Sequence, residues 1–259
     1  MAILIGPFSS GSRFEVSELF DFREAIVIVS ATRLPIPSHF HGEEIMSRKL
    51  IAELIGTFTL IFIGAGAGAI GVGGLVGVAF AHGLVVLAFA YAYGHISGTH
   101  INPAVTIGLW AGKQIDTASA VGYVVVQLIG GTLGAFALRS VLGGTASGLG
   151  ATTLAATVTP VQGFVVELLL TFFLVNTIFN TAVNGKAGNL APVAIGLTLT
   201  FSILMGGPLT GASLNPARTL GPAIMTGNFS NLSIYLIAPP LGGILAALLY
   251  QIVLRPEKE

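Results

Sequence analysis

The chain has 259 residues, 53% of them hydrophobic and only 8% charged, and its eleven basic and eleven acidic side chains cancel. A soluble domain carries about 25% charged residues, so this chain cannot furnish an ordinary water-facing surface, whereas a lipid-facing one suits its mean hydropathy of +0.89. Zero net charge removes a basic nucleic-acid surface, and the absence of cysteine excludes disulfides, thiolate metal sites and a cysteine nucleophile. Its 35 glycines suit a helical membrane bundle, where small residues let helix backbones approach closely.

In chain order, residues 1–45 come first and hold the densest charge cluster, including Arg13, Glu15, Glu18, Asp21, Arg23, Glu24 and Arg33. The apolar stretch Ala25–Ala31 is far short of the roughly 20 residues that a spanning helix needs. The segment lacks a basic n-region and a cleavage site. It reads as a cytoplasmic extension not needed for transport, with Met46 a candidate functional start.

Apolar runs long enough to span a bilayer then recur six times, at roughly 50–71, 75–94, 118–142, 161–183, 190–206 and 232–254. Two shorter apolar pieces, at about 102–111 and 215–225, follow the second and fifth runs, and each begins with Asn-Pro. If six spans alternate, Arg48, Lys49, Lys113, Lys186, Arg255 and Lys258 fall on one side and only Arg139 on the other. Positive charge favours the cytoplasmic side, so both termini are expected there.

The two halves, about 46–143 and 160–254, repeat. Ala52-Glu53-Leu54-Ile55-Gly56-Thr57-Phe58 resembles Val166-Glu167-Leu168-Leu169-Leu170-Thr171-Phe172. Ser97 to Ala104 resembles Thr210 to Ala217, and Leu128-Ile129-Gly130-Gly131 resembles Pro240-Leu241-Gly242-Gly243. Each unit has three spans, an odd number, so the second must enter the membrane from the opposite side. The expected fold is an all-α membrane protein with six transmembrane helices and two half-helices in an inverted repeat. Such repeats with interrupted helices place a site near the bilayer midplane.

Asn102-Pro103-Ala104 and Asn215-Pro216-Ala217 each read as the start of a short helix. Proline at the first helical position loses nothing, because its missing N–H would be unpaired there. The Asn side-chain oxygen caps the helix and leaves its NH2 free to donate. Two such starts would face each other from opposite leaflets, each at the positive end of a helix dipole. A neutral molecule with an acceptor oxygen is welcomed there and a cation repelled. The loops Gly94–Ile101 and Gly206–Leu214 would offer backbone carbonyls to the same cavity, since irregular backbone at that depth survives only where it is buried or lines water.

On these residues the chain resembles the aquaporin (major intrinsic protein) family, from about Ser47 to the C terminus. The signature is legible as Gly94-His95-Ile96-Ser97-Gly98-Thr99-His100-Ile101-Asn102-Pro103-Ala104-Val105-Thr106 and as Gly211-Ala212-Ser213-Leu214-Asn215-Pro216-Ala217-Arg218. The resemblance implies a homotetramer with one pore per subunit, in which half-helix dipoles exclude cations, as in aquaporin-type pores generally. It also implies a selectivity filter of His82, Ile203, Ala212 and Arg218. That set looks like the filter of plant vacuolar-type members. By itself, a lone histidine such as His82 in an apolar helix is usually a core residue. Arg218, an intramembrane arginine, is expensive and functional by default. Glu53 and Glu167, also buried, would accept hydrogen bonds from the backbone N–H groups of the pore loops, as in the family, with a proton relay between them the alternative. His95 and His100 are expected at the cytoplasmic mouth, or as donors of backbone carbonyls to it.

The implied function is passive passage of water across the membrane, excluding ions and protons, with ammonia or hydrogen peroxide as further solutes. Thr219 and Ala223, where glycerol-passing relatives have Asp and a basic residue, favour water. Tyr235 followed by Leu236, where water-specific members have two adjacent aromatics, leans toward glycerol. A glycerol channel is therefore the first alternative and a secondary transporter the second. No nucleophile–base pair or metal cluster suggests an enzyme, and neither cofactor nor metal is expected. The partners expected are the lipid bilayer and the solute, and the location a multi-pass integral protein of the plasma (inner) membrane.

Overall fold

A computed structural model describes the backbone of residues 38–256 and the side chains of residues 45–256. The charged stretch up to residue 37 lies outside the described residues. Backbone contacts separate Met1–Glu44 from Ile45–Glu259, and the second unit holds everything below.

Among the described residues every regular element is helical. Six helices are long and apolar enough to cross a membrane: α1 (Ile45–Ile70), α2 (Gly74–Ser97), α4 (Thr117–Val141), α5 (Pro160–Val183), α6 (Gly188–Thr210) and α8 (Leu232–Leu254). Two short helices, α3 (Pro103–Ala111) and α7 (Pro216–Thr226), follow α2 and α6. The chain order is thus three spans with one short helix, repeated. Helix starts carry local signals: Asp116 caps α4 by accepting from Ser119 N at 2.9 Å, and Thr159 with Gln162 forms a capping box on α5. Hydrogen bonds from the Ser119 hydroxyl and N–H hold the exposed Asp116 carboxyl below its ordinary pKa.

Two expected boundaries move. The loops read as Gly94–Ile101 and Gly206–Leu214 shrink to four residues each, because α2 continues to Ser97 and α6 to Thr210. Gly94 and Gly206 stay helical, and the stops are Gly98 and Gly211, at φ 85° and 78°. These are left-handed C-caps that glycine adopts without steric cost.

The packing is exchanged between repeats. Half-helix α3 lies against α8 of the second repeat, and α7 lies against α4 of the first. Glycine makes both crossings possible. A methyl group on Gly131 would come within 2.7 Å of the Ala217 carbonyl oxygen, and one on Gly243 within 2.7 Å of the Ala104 oxygen. Gly131 and Gly243, the second glycine of each repeated Gly-Gly pair, are therefore contact points, one for each half-helix.

Candidate functional site: a cavity between two Asn-Pro-Ala helix starts

The site is built from the loop outward. Gly98–Ile101 and Gly211–Leu214 carry non-glycine residues in the left-handed region, namely Thr99, Ile101, Ala212 and Leu214 at φ 52°, 41°, 44° and 54°. Such conformations cost about 1–3 kcal/mol each and persist only where the surroundings over-determine them. Here the surroundings are two fully buried carboxylates. Glu53 accepts from His100 N at 2.9 Å, Ile101 N at 2.6 Å, the Ser97 hydroxyl at 2.7 Å and Gln127 Nε2 at 2.7 Å. Glu167 accepts from Ser213 N at 2.9 Å, Leu214 N at 2.8 Å and the Thr210 hydroxyl at 2.7 Å. The loop N–H groups thus point into the protein.

Each Asn caps its half-helix. Asn102 Oδ1 accepts from Ala104 N at 2.8 Å, and Asn215 Oδ1 accepts from Ala217 N at 2.9 Å and Arg218 N at 3.2 Å. The amide NH2 groups are less free than the sequence suggests. Asn102 Nδ2 donates to Leu214 O at 2.9 Å, and Asn215 Nδ2 donates to Ile101 O at 3.0 Å. One amide hydrogen from each Asn therefore ties the two loops together, and the other remains for the cavity. Pro103, Ala104, Pro216 and Ala217 are buried at the first turns of the half-helices.

The centre of a water-sized sphere has about 30 Å³ of room in the cavity, above the roughly 10–15 Å³ at which a site can hold a water. Its walls include His82, His100, Asn102, Asn215 and Arg218 among apolar side chains such as Val105 and Ile195. His82 is 3% exposed and Arg218 4%. His82 Nδ1 lies 2.9 Å from Val78 O, so the carbonyl assigns the proton of a neutral ring to Nδ1 and leaves Nε2 an acceptor. His82 Nε2 and the Nε and Nη1 of Arg218 are buried without a hydrogen-bond partner.

The other expected residues divide. His100 lines the cavity, its Nδ1 3.1 Å from the Thr106 hydroxyl. His95 does not reach it: near the end of α2 it is exposed, in an outer groove with Arg48, Ile51 and Tyr93. Ile203 and Ala212, 2% and 1% exposed, belong to a buried apolar cluster with Leu170 and Leu174. Neither is among the cavity-lining residues.

The structure adds Tyr123, Gln127 and Thr152 to the site and gives Tyr235, Thr106 and Thr219 hydrogen-bond partners there. Tyr123 OH donates to Ser97 O at 2.8 Å and Tyr235 OH to Thr210 O at 2.7 Å, so each tyrosine braces one loop. Tyr235, read as a clue to the solute, is a fully buried brace. Thr106 receives a hydrogen bond from Gln127 Nε2 at 2.9 Å, while Thr219 lies 2.7 Å from the Thr152 hydroxyl and 2.6 Å from that of Ser213. The signal was available: Ser97 and Thr210, Tyr123 and Tyr235, and Thr106 and Thr219 occupy matching places in the two repeats.

Six helices long and apolar enough to span, two half-helices and a buried cavity between their Asn-capped starts are the architecture of an integral membrane channel. A family model described as major intrinsic protein matches residues 42–250, and the chain belongs to that family, the aquaporins. It is 42% identical over 207 residues to the glycerol uptake facilitator protein-like 6 of Lactiplantibacillus plantarum, covering 77% of this chain and 95% of that one. It is 39% identical over 225 residues to aquaporin TIP2-1 of Arabidopsis thaliana, covering 82% and 89%. The X-ray structure of the aquaglyceroporin from Plasmodium falciparum superposes with a TM-score of 0.74 at 28% identity, covering 82% of this chain and 98% of that one.

Proposed function

We propose that the chain is a passive water channel that excludes ions and protons and also admits small neutral solutes such as ammonia or hydrogen peroxide. The observation that carries this reading is the set of unpaired groups on the cavity wall. Arg218 supplies two unpartnered donors and His82 Nε2 one unpartnered acceptor. A molecule that both donates and accepts satisfies them, and unsatisfied buried groups are costly. A cation meets Arg218 and the positive ends of α3 and α7 instead. With only one hydrogen left on each amide after the crossed bonds to Leu214 and Ile101, a water at mid-pore meets two donors and no neighbouring acceptor amide. That arrangement makes a poor proton wire.

Passive conduction suits the acids as well. Glu53 and Glu167 are occupied by loop N–H and hydroxyl donors, which supports a scaffold role over the ion-coupling role that a transporter would need. Thr219 sits buried among Thr152 and Ser213, with no carboxylate at that place. The glycerol reading is favoured by the names of one relative, glycerol uptake facilitator protein-like 6, and of one solved structure, the aquaglyceroporin from Plasmodium falciparum. In this proposal the termini are cytoplasmic, the assembly is a homotetramer with one pore per subunit, and residues 1–45 are not needed for transport.

Stopped-flow light scattering on proteoliposomes tests this. Osmotic shrinkage should exceed that of empty vesicles, and re-swelling in a glycerol gradient should be slow. Shrinkage at the empty-vesicle rate removes the water-channel reading, and fast glycerol re-swelling replaces it with the glycerol one.

A further inference from the structure

We propose that Gly64 sets the width of the pore at His82, and so is a specificity-determining residue although it lies outside the cavity wall. This rests on the channel reading above. The hydrogen-bonding ladder of α1 changes register at Leu60–Ala65, a π-type turn in which Gly66 N donates to Ile61 O. Inserted turns of this kind are frequent at functional sites. The turn places the buried Gly64 backbone against the imidazole of His82. A methyl group on Gly64 would lie 2.6 Å from Cδ2, 2.7 Å from Nε2 and 2.8 Å from Cγ, over the face of the ring. The ring therefore occupies a niche that only a residue without a side chain leaves open.

The ring has no easy way to yield. Its Nδ1 is tied back to Val78 O on its own helix at 2.9 Å, and its remaining free side is the cavity it shares with Arg218. Any side chain at 64 must push the imidazole into the cavity it shares with Arg218. The other repeat shows the opposite choice. At the repeat offsets of Glu53 to Glu167 and Asn102 to Asn215, Gly64 corresponds to Ile178 and His82 to Ile195, and both isoleucines line the cavity. There two branched side chains share the wall, whereas here a glycine yields all of the space to one polar ring.

The test compares the wild-type full chain, Gly64→Ala, His82→Ala and the double variant in proteoliposomes, reading water, ammonia and glycerol fluxes by stopped flow. Gly64→Ala should lower ammonia flux by about tenfold or more, with water falling less and glycerol staying slow, since overpacking here displaces the ring into the passage. In the His82→Ala background the same substitution should change every flux by less than about twofold, because the clash has no partner left. If Gly64→Ala fails to assemble while the double variant assembles and conducts, the clash is again the cause. Unchanged fluxes in Gly64→Ala, an equal loss in both backgrounds, or a dead double variant would overturn the role of Gly64. A wild-type chain that conducts nothing would instead overturn the channel reading.

Discussion

The two repeats agree in their backbone scaffolding and disagree in the side chains they show to the cavity. Scaffolding is matched almost atom for atom: Glu53 with Glu167, Ser97 with Thr210, Tyr123 with Tyr235, and each Asn amide bonded to the opposite loop. Lining is not. Arg218 occupies the place that Val105 holds in the first repeat, and His82 the place that Ile195 holds in the second. The two helix starts require the same strained loops on both sides of the midplane. Arg218 and His82 thus put a charge and a polar ring on the wall where the other repeat has Val105 and Ile195.

The largest effect should come from the carboxylates. Glu167→Ala leaves three donors without an acceptor and Glu53→Ala leaves four. At about 1–3 kcal/mol per buried unsatisfied group, both variants should melt well below wild type in detergent and lose water flux, with Glu53→Ala the lower. Equal melting temperatures would show that Gln127 adds nothing to the first loop. Next, Arg218→Val makes the second repeat a copy of the first at this place. Proton leak and urea entry into proteoliposomes should rise by about tenfold or more, because the fixed charge that repels cations is gone and the shorter side chain leaves more room for urea. Selectivity that stays at the wild-type level would take Arg218 out of the filter.

Smaller effects probe the scaffold. Thr106→Val and Thr219→Val should each cost about 1–2 kcal/mol of stability. Each hydroxyl bonds two side chains, Gln127 and His100 at Thr106 and Thr152 and Ser213 at Thr219, so the two losses should be similar in thermal melts. The smallest effect is a symmetry test: Tyr123→Phe and Tyr235→Phe each remove one neutral hydrogen bond to a loop carbonyl, worth about 1 kcal/mol. Their melting shifts should agree to within about 0.5 kcal/mol. A clear difference would mean that the two braces are not equivalent, and the scaffold would be less symmetric than its hydrogen bonds.

Much of this molecule was legible before any coordinates. The six spans were placed to within a few residues, because lipid demands about 20 apolar residues and tolerates little else. The half-helix starts at Pro103 and Pro216 followed from Asn-Pro chemistry, and the inverted repeat followed from three matched motifs and an odd number of spans. Glu53 and Glu167 stood out because a carboxylate in a bilayer needs partners. The loop boundaries were harder: Gly94 and Gly206 look like breaks, but burial in a packed bundle keeps them helical and moves the stops to Gly98 and Gly211.

What the sequence by itself determined is the class of protein, through long apolar spans, a duplicated Asn-Pro-Ala turn and few charges, all signals that live within one segment or one repeat. What only the tertiary structure decided depends on residues far apart in the chain. The crossed bonds from Asn102 to Leu214 and from Asn215 to Ile101, the loop braces from Tyr123 and Tyr235, and the seat of His82 on Gly64 are contacts between helices. No local pattern encodes a contact between helices, because its geometry is set by how two interleaved repeats pack and not by the spacing along either one.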